Sequence, residues 1–265
     1  MKNKKILCIT PVKHLNGVFE LFNLYGEVIY KPNIEKEDLR KLLVSSQVDR
    51  IFTNPNKQGF ILDESVLTGS FVKVINTCST GTNHIDKAYA EEIGMPILSL
   101  TEEREVIERI SSTAELAFSL TLASLRHVVK SHKSVLEGEW DYEKYIGRQM
   151  NCLTIGVIGY GRLGSMYARY CKAFGSRVLV HDPYKTVNDK LIEQVSSLET
   201  LLEESDVIAI HVHVTEETIG MIDKACFDLM KDDVVIVNTA RGDMVNESDL
   251  VSFLRHNPGA RIATD

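Results

Sequence analysis

The chain contains no apolar run approaching the about 20 residues needed to cross a bilayer. It has no basic tract, and its formal charge is −7, so neither a nucleic acid nor an anionic membrane surface has electrostatic support as a partner. Cysteine is sparse and odd in number: Cys8, Cys78, Cys152, Cys171 and Cys226 lack C-x-x-C spacing, which argues against structural zinc and for reduced thiols in the cytoplasm. The opening Met-Lys-Asn-Lys-Lys is followed by an apolar stretch too short for a signal peptide and interrupted at Pro11, so it reads as a first strand. Internal repeats and low-complexity segments are absent. What remains is ordinary for a soluble globular protein: 265 residues, 44% hydrophobic and 25% charged, enough for one large domain or two modest ones.

Hydrophobic periodicity predicts strands over residues 5–9, 27–30, 50–53, 72–76 and 96–98. They alternate with helices over 15–25, 35–46, 64–68 and 84–93. Such alternation implies an α/β fold with a parallel sheet covered on both faces. A long helical stretch over 101–136, with Val106, Ile110, Leu116, Leu120 and Leu125 near helical spacing, reads as the joint between two domains. An aromatic loop over 138–150 follows, and then a second α/β unit with strands at 177–180, 206–211, 234–237 and 261–264.

That second unit is organised around residues 153–164, Leu-Thr-Ile-Gly-Val-Ile-Gly-Tyr-Gly-Arg-Leu-Gly. An apolar strand stops at a turn where Gly159, Gly161 and Gly164 have the G-x-G-x-x-G spacing, and a helix over 162–174 begins. The first glycine permits the tight turn, the second lets a pyrophosphate approach the backbone, and the third lets helix and strand pack closely. The helix N-terminus offers free N–H groups and a positive dipole end. Asp182 ends the next strand 18 residues beyond Gly164, close to the about 20 expected for an acid that binds adenosine ribose hydroxyls. Its carboxylate would repel a 2′-phosphate, so NAD is preferred to NADP. Read locally, Asp182 is also an ordinary turn aspartate before Pro183.

Other candidates have plainer alternatives too. Arg241 follows the strand at 234–237 and is suited to hold a carboxylate through paired hydrogen bonds, or is a solvated turn arginine. Residues 78–86, Cys-Ser-Thr-Gly-Thr-Asn-His-Ile-Asp, would present backbone N–H groups to an anion, or form a plain β–α turn capped by Thr82 or Asn83. His211 and His213 are spaced i, i+2 on opposite faces with no third ligand, so no metal is expected. Thr113 and Glu115 read locally as capping or surface groups.

Together, Ser-Thr-Gly-Thr-Asn-His-Ile-Asp, Ser-Thr-Ala-Glu, Gly-Tyr-Gly-Arg-Leu-Gly with Asp182, His-Val-His-Val-Thr-Glu-Glu-Thr and Val-Asn-Thr-Ala-Arg-Gly resemble the D-isomer-specific 2-hydroxyacid dehydrogenase family. Their order and spacing look most like its phosphoglycerate dehydrogenase-like branch. The resemblance implies two doubly wound domains: a flavodoxin-like substrate domain over 1–100 and a Rossmann NAD-binding domain over 101–265. It implies an NAD-dependent oxidoreductase acting on D-2-hydroxy acids or 2-keto acids, bound between the domains. Arg241 would be the catalytic arginine, and the loop of Ser79, Thr80 and Gly81 would hold the substrate carboxylate through the amides of Thr80 and Gly81. The turn of Tyr160, Gly161, Arg162 and Leu163 would cradle the pyrophosphate, with Asp182 on the ribose. Thr113, His211, Val212, His213, Thr218, Thr239 and Ala240 would line the cofactor, and Asp265 would lie near the nicotinamide amide. The segment 101–136 would carry a homodimer contact.

The chain departs from the family pattern at Leu116, where histidine is usual, and at His213 and Glu216, which replace prolines. The family's catalytic glutamate and its acid/base histidine, in a Pro-His motif, would fall beyond Asp265. The expectation from this is a fragment or shortened product with impaired activity; the alternative is a catalytically silent NAD(H)-binding sensor or interaction protein.

Overall fold

A computed structural model describes residues 4–55 and 59–265; the basic start at Met1 to Asn3 lies outside them. The chain divides into two compact units, Met1–Arg109 and Ile110–Asp265. The boundary lies beyond the residue 100 expected, because the Leu100 N–H donates to the Ser79 carbonyl at 3.2 Å and holds the following turn against the first unit. Among the described residues no helix is long and apolar enough to cross a membrane.

The first unit runs β1 (Lys5–Cys8), α1 (Val18–Tyr25), β2 (Glu27–Tyr30), α2 (Lys36–Ser45), β3 (Arg50–Thr53), α3 (Glu64–Leu67), β4 (Val74–Thr77), α4 (Lys87–Glu92), β5 (Ile97–Leu98) and α5 (Arg104–Ile107). All its strands are parallel, in the order β2-β1-β3-β4-β5. This is the flavodoxin-like winding. The expected helix over 84–93 starts later, at Lys87. Asp86, rather than Thr82 or Asn83, caps it by accepting from the Tyr89 N–H at 3.1 Å. His84 and Ile85 are instead buried below the loop, where Ile85 bridges to Leu62.

The second unit runs α6 (Ser112–Leu125), α7 (Val128–Leu136), β6 (Thr154–Ile158), α8 (Arg162–Ala173), β7 (Arg177–His181), β8 (Glu193–Gln194), α9 (Leu198–Glu204), β9 (Val207–Ile210), α10 (Lys224–Leu229), β10 (Val235–Asn238), α11 (Glu247–His256) and β11 (Arg261–Thr264). Its strands are parallel in the order β11-β10-β9-β6-β7-β8, the dinucleotide-binding winding, whose direction reverses between β6 and β9. β9 and β10 are buried along their whole length, as helices on both faces require. One core layer joins α6 and α8 to the sheet through Ala117, Leu125, Tyr167 and Cys171. The other packs Leu201, Leu202 and Phe227 on the opposite face. β8 is a two-residue edge strand with no signal in the sequence.

The single helical stretch expected over 101–136 is broken. His127 adopts a left-handed conformation, φ 53°, and separates α6 from α7. The buried stripe of α6 is Ala114, Ala117, Thr121 and Leu125; Leu116 faces solvent, and Val106 and Ile110 lie outside the helix and are exposed. Small residues let α6 approach α8, and the Thr121 hydroxyl pairs with the fully buried Tyr167 hydroxyl at 2.7 Å.

The amino-terminal edge of this sheet is tied by Asp206. Its carboxylate accepts from the Thr154 N–H at 2.8 Å, Arg148 at 2.7 Å and Lys231 at 3.0 Å, which joins the starts of β6 and β9 to the segment entering β10. Burial alone would raise this carboxyl, but the hydrogen bonds from Thr154 and Lys231, with Arg148, hold it below the ordinary aspartate value. Asp206→Ala should destabilise the protein by about 2–3 kcal/mol in urea unfolding, the scale of lost charge-assisted hydrogen bonds. The folded-state pKa is depressed, so this contribution is present above about pH 4, the ordinary value, and is lost as pH falls through the lower folded value. The stability of the Asp206→Asn variant should therefore fall less steeply on acidification than that of the wild type.

Candidate functional site

In a doubly wound sheet, the loops leaving the carboxyl ends of the strands meet at the point where the strand order reverses. In the second unit those loops contain Gly159 to Gly161 after β6, leading into Arg162 and Leu163 of α8, Asp182 after β7, His211 to Thr218 after β9, Thr239 to Arg241 after β10, and Asp265 after β11. Thr113 is the second residue of α6, whose entry is tied to α8 by a hydrogen bond from the Arg162 guanidinium to the Ile110 carbonyl.

The three glycines have different local demands. Gly159 has φ 90°, and a Cβ there would stand 2.8 Å from both the His211 carbonyl oxygen and Val212 Cγ1. A Cβ at Gly164 would overlap the Gly159 carbonyl oxygen. A Cβ at Gly161 would meet nothing within 4 Å. Packing thus accounts for the first and third glycines and leaves the second facing open space. The 12-residue helix α8 starts there with no side-chain cap, so its first-turn N–H groups remain available to an anion. An open backbone beside an uncapped helix end fits the pyrophosphate of a dinucleotide.

Asp182 is half-buried and braces the turn: Oδ2 accepts from the Tyr160 N–H at 2.7 Å and Oδ1 from the Tyr184 N–H at 2.9 Å. A carboxylate has about four acceptor positions, so capacity remains for ribose hydroxyls. The His211 ring packs on Tyr167, with centroids 5.0 Å apart, and its Nε2 is buried without a partner among the described residues. Burial pushes this imidazole down to about 4, so it is neutral at pH 7. His213 is exposed, and its carbonyl accepts from the Thr218 hydroxyl at 2.6 Å. That hydroxyl also accepts from the Thr215 N–H at 2.8 Å, so Thr218 closes its own loop. Among the described residues no group of three or more potential ligands could hold a metal.

Thr239 is buried, and its hydroxyl has no partner among the described residues. The neighbouring Asn238, to which the motif assigns no role, shapes the arginine turn. Its Nδ2 donates to the Arg241 carbonyl at 2.7 Å and its Oδ1 accepts from the Ala240 N–H at 3.0 Å. An asparagine at a strand end before a turn was the available signal. Arg241 is exposed, makes no ion pair among the described residues, and rests one N–H on the Ala240 carbonyl at 2.6 Å. Its remaining donors can receive a carboxylate or a carbonyl oxygen.

In the first unit, Ser79, Thr80 and Gly81 follow β4. The Gly81 N–H, expected to be open for a carboxylate, is held by Ser79 Oγ at 3.0 Å. The Thr80 N–H has no partner among the described residues, and the Ser79 hydroxyl keeps its own proton to donate. Below them, His84 Nε2 meets the Thr77 hydroxyl at 3.0 Å, and burial lowers its pKa.

A family model described as the NAD-binding domain of D-isomer specific 2-hydroxyacid dehydrogenases matches residues 118–265. A putative 2-hydroxyacid dehydrogenase of Bacillus subtilis is 32% identical over 276 residues, covering 97% of this chain and 78% of its own length. A D-3-phosphoglycerate dehydrogenase of Archaeoglobus fulgidus is 36% identical over 206 residues, which are 76% of this chain and 38% of that protein. The D-lactate dehydrogenase of Aquifex aeolicus, solved with NAD and lactic acid, matches with a TM-score of 0.80 at 28% identity, over 99% of this chain and 76% of that one. The chain belongs to the D-isomer specific 2-hydroxyacid dehydrogenase family, whose members are NAD-dependent oxidoreductases, and its residues 118–265 form the family's NAD-binding domain.

Proposed function

We propose that the protein transfers hydride between NAD and carbon 2 of a small D-2-hydroxy acid or its 2-keto counterpart. The observation that carries this reading is the unpaired Arg241, braced by Asn238 on the same sheet edge as the open turn at Gly161. Bound NAD would supply the hydride acceptor. The chain's own groups do the rest of the positioning. The turn of Tyr160 to Leu163 and the first N–H groups of α8 receive the pyrophosphate, and Asp182 takes the ribose hydroxyls and disfavours a 2′-phosphate. Thr113, His211, Val212, His213, Thr218, Thr239, Ala240 and Asp265 line or support the cofactor's path. Arg241 holds the substrate carboxylate and polarises the carbonyl; in the first unit the Thr80 N–H and the Ser79 hydroxyl are the donors offered to a carboxylate, the Gly81 N–H being held by Ser79.

The same reading includes a homodimer in the cytoplasm. In support of association, α7 and the segment after it expose Leu136 (74%), Trp140 (87%), Val129 and Ile146, an apolar set unusual for free surface. In support of a reducing compartment, all five cysteines are free.

Incubation with NADH and a panel of 2-keto acids tests the activity: consumption of NADH with at least one is expected. NADH binding without turnover across the panel would replace this reading with that of a silent NAD(H)-binding protein. Arg241→Ala should lower kcat/KM by about 100- to 1000-fold while leaving NADH binding nearly intact. Gly161→Ala should melt like the wild type yet bind NADH at least roughly tenfold more weakly, about 1.4 kcal/mol. Gly164→Ala should instead cost about 1–3 kcal/mol of stability through overpacking. In sedimentation, Leu136→Asp should shift the protein from dimer to monomer.

A further inference from the structure

Tyr184 and Glu217 have no role in the scheme above, yet a hydrogen bond joins them across the cofactor edge. Tyr184 lies two residues past Asp182 in the loop leaving β7, and Glu217 lies in the loop leaving β9. In the sheet, β6 and its glycine turn stand between those strands. The Tyr184 hydroxyl donates to Glu217 Oε2 at 2.5 Å, while the Tyr184 amide donates to Asp182 Oδ1 at 2.9 Å. A single tyrosine therefore connects two carboxylates, and the bonded path continues from Asp182 Oδ2 to the Tyr160 N–H of the glycine turn.

The loop that presents Glu217 is braced on both sides. The Thr218 hydroxyl bonds the Thr215 amide and the His213 carbonyl, the Ile219 N–H donates to the Thr215 carbonyl at 3.1 Å, and the Gly220 N–H donates to the Asp243 carbonyl at 2.8 Å. Neither Asp182 nor Glu217 takes part in an ion pair among the described residues. The bond to Glu217, together with the charges of Glu217 and Asp182, raises the phenol's pKa, so Tyr184 keeps the proton it donates.

We propose that Glu217, clasped by Tyr184, is a second carboxylate that selects NAD over its 2′-phosphorylated form. This rests on the reading that Asp182 binds the adenosine ribose. Glutamate on a free loop could swing away from a 2′-phosphate and relieve the repulsion. Fixed to Tyr184, it can do so only by breaking a charge-assisted hydrogen bond. Two fixed negative charges then oppose a 2′-phosphate of nearly two charges, a repulsion that salt screens.

Fluorescence titration of the full chain with NADH and with NADPH reads the effect directly, without any need for turnover. Glu217→Gln should lower the preference for NADH over NADPH by about tenfold at low ionic strength, and Glu217→Lys by more. Tyr184→Phe keeps the carboxylate but frees it, so it should lower the preference by a smaller factor. The wild-type preference should also narrow as salt is raised. Thermal melts confirm that each variant is folded, as expected for exposed positions. If Asp182→Asn relaxes the preference while both Glu217 variants leave it unchanged, Glu217 has no selective role and the reading of Asp182 stands. If Asp182→Asn also leaves it unchanged, or the wild type binds no NADH, the underlying assignment fails as well.

Discussion

The site depends on one steric constraint, the near contact of α8 with the end of β6. With a side chain at Gly164, the helix would be pushed off the Gly159 carbonyl. With one at Gly159, the turn would be pushed off the His211 carbonyl at the end of β9. Only without both does the helix begin immediately beyond the strand, so that its unpaired first-turn N–H groups point into the crevice where the strand order reverses. A helix displaced by a few ångströms would still be a helix, but its dipole and donors would be aimed elsewhere. The buried Thr121–Tyr167 hydroxyl pair and the His211–Tyr167 ring contact hold α8 from its other side.

The two edges of the second sheet are treated in opposite ways. At the amino-terminal edge the Asp206 carboxylate is held by a backbone amide and two cations. At the carboxyl-terminal edge the comparable groups keep unused capacity: among the described residues Arg241 lacks an acid, α8 lacks a side-chain cap, and the Asp182 carboxylate is bonded only to amides. At one edge the polar groups hold strands together, and at the other some of them are left free for recognition. The polar atoms at the open edge that do find partners, in Asn238 and Thr218, use them to fix the backbone of their own turns.

The parts of this arrangement that were legible in the sequence are those set by local rules. Strands at Glu27–Tyr30, Arg50–Thr53 and Arg261–Thr264 follow from short apolar runs with expected bounds. The glycine spacing and Asp182 located the turn because backbone sterics demand glycine at specific places. What periodicity missed depended on tertiary packing. The apolar pattern over 101–136 placed Leu125 in the core but did not reveal the left-handed His127, nor that alanines and Thr121, rather than Leu116, complete the buried stripe of α6. The start of α4 was misplaced because His84 and Ile85, which look like the beginning of a helix, are drawn into the core beneath the loop. The capture of the Gly81 amide by Ser79 depends on a side-chain rotamer that spacing does not encode.

The charges along the open edge give it a direction. Across the strand order, Arg241 leaves β10, the neutral His211 leaves β9, the glycine turn leaves β6, and Asp182 leaves β7. Three strand spacings of about 4.8 Å separate the two outer strands, so Arg241 and Asp182 leave the edge well apart, while the one cation of the turn between them, Arg162, is turned to the Ile110 carbonyl. Keeping His211 neutral matters to this pattern. A protonated imidazole beside the turn would add a second positive centre in mid-edge and compete with Arg241 for an anion. Burial against Tyr167 pushes its pKa down to about 4 and removes that competition at neutral pH. An extended ligand with an anionic group at one end and hydroxyls at the other then meets a donor at the Arg241 end and a carboxylate acceptor at the Asp182 end.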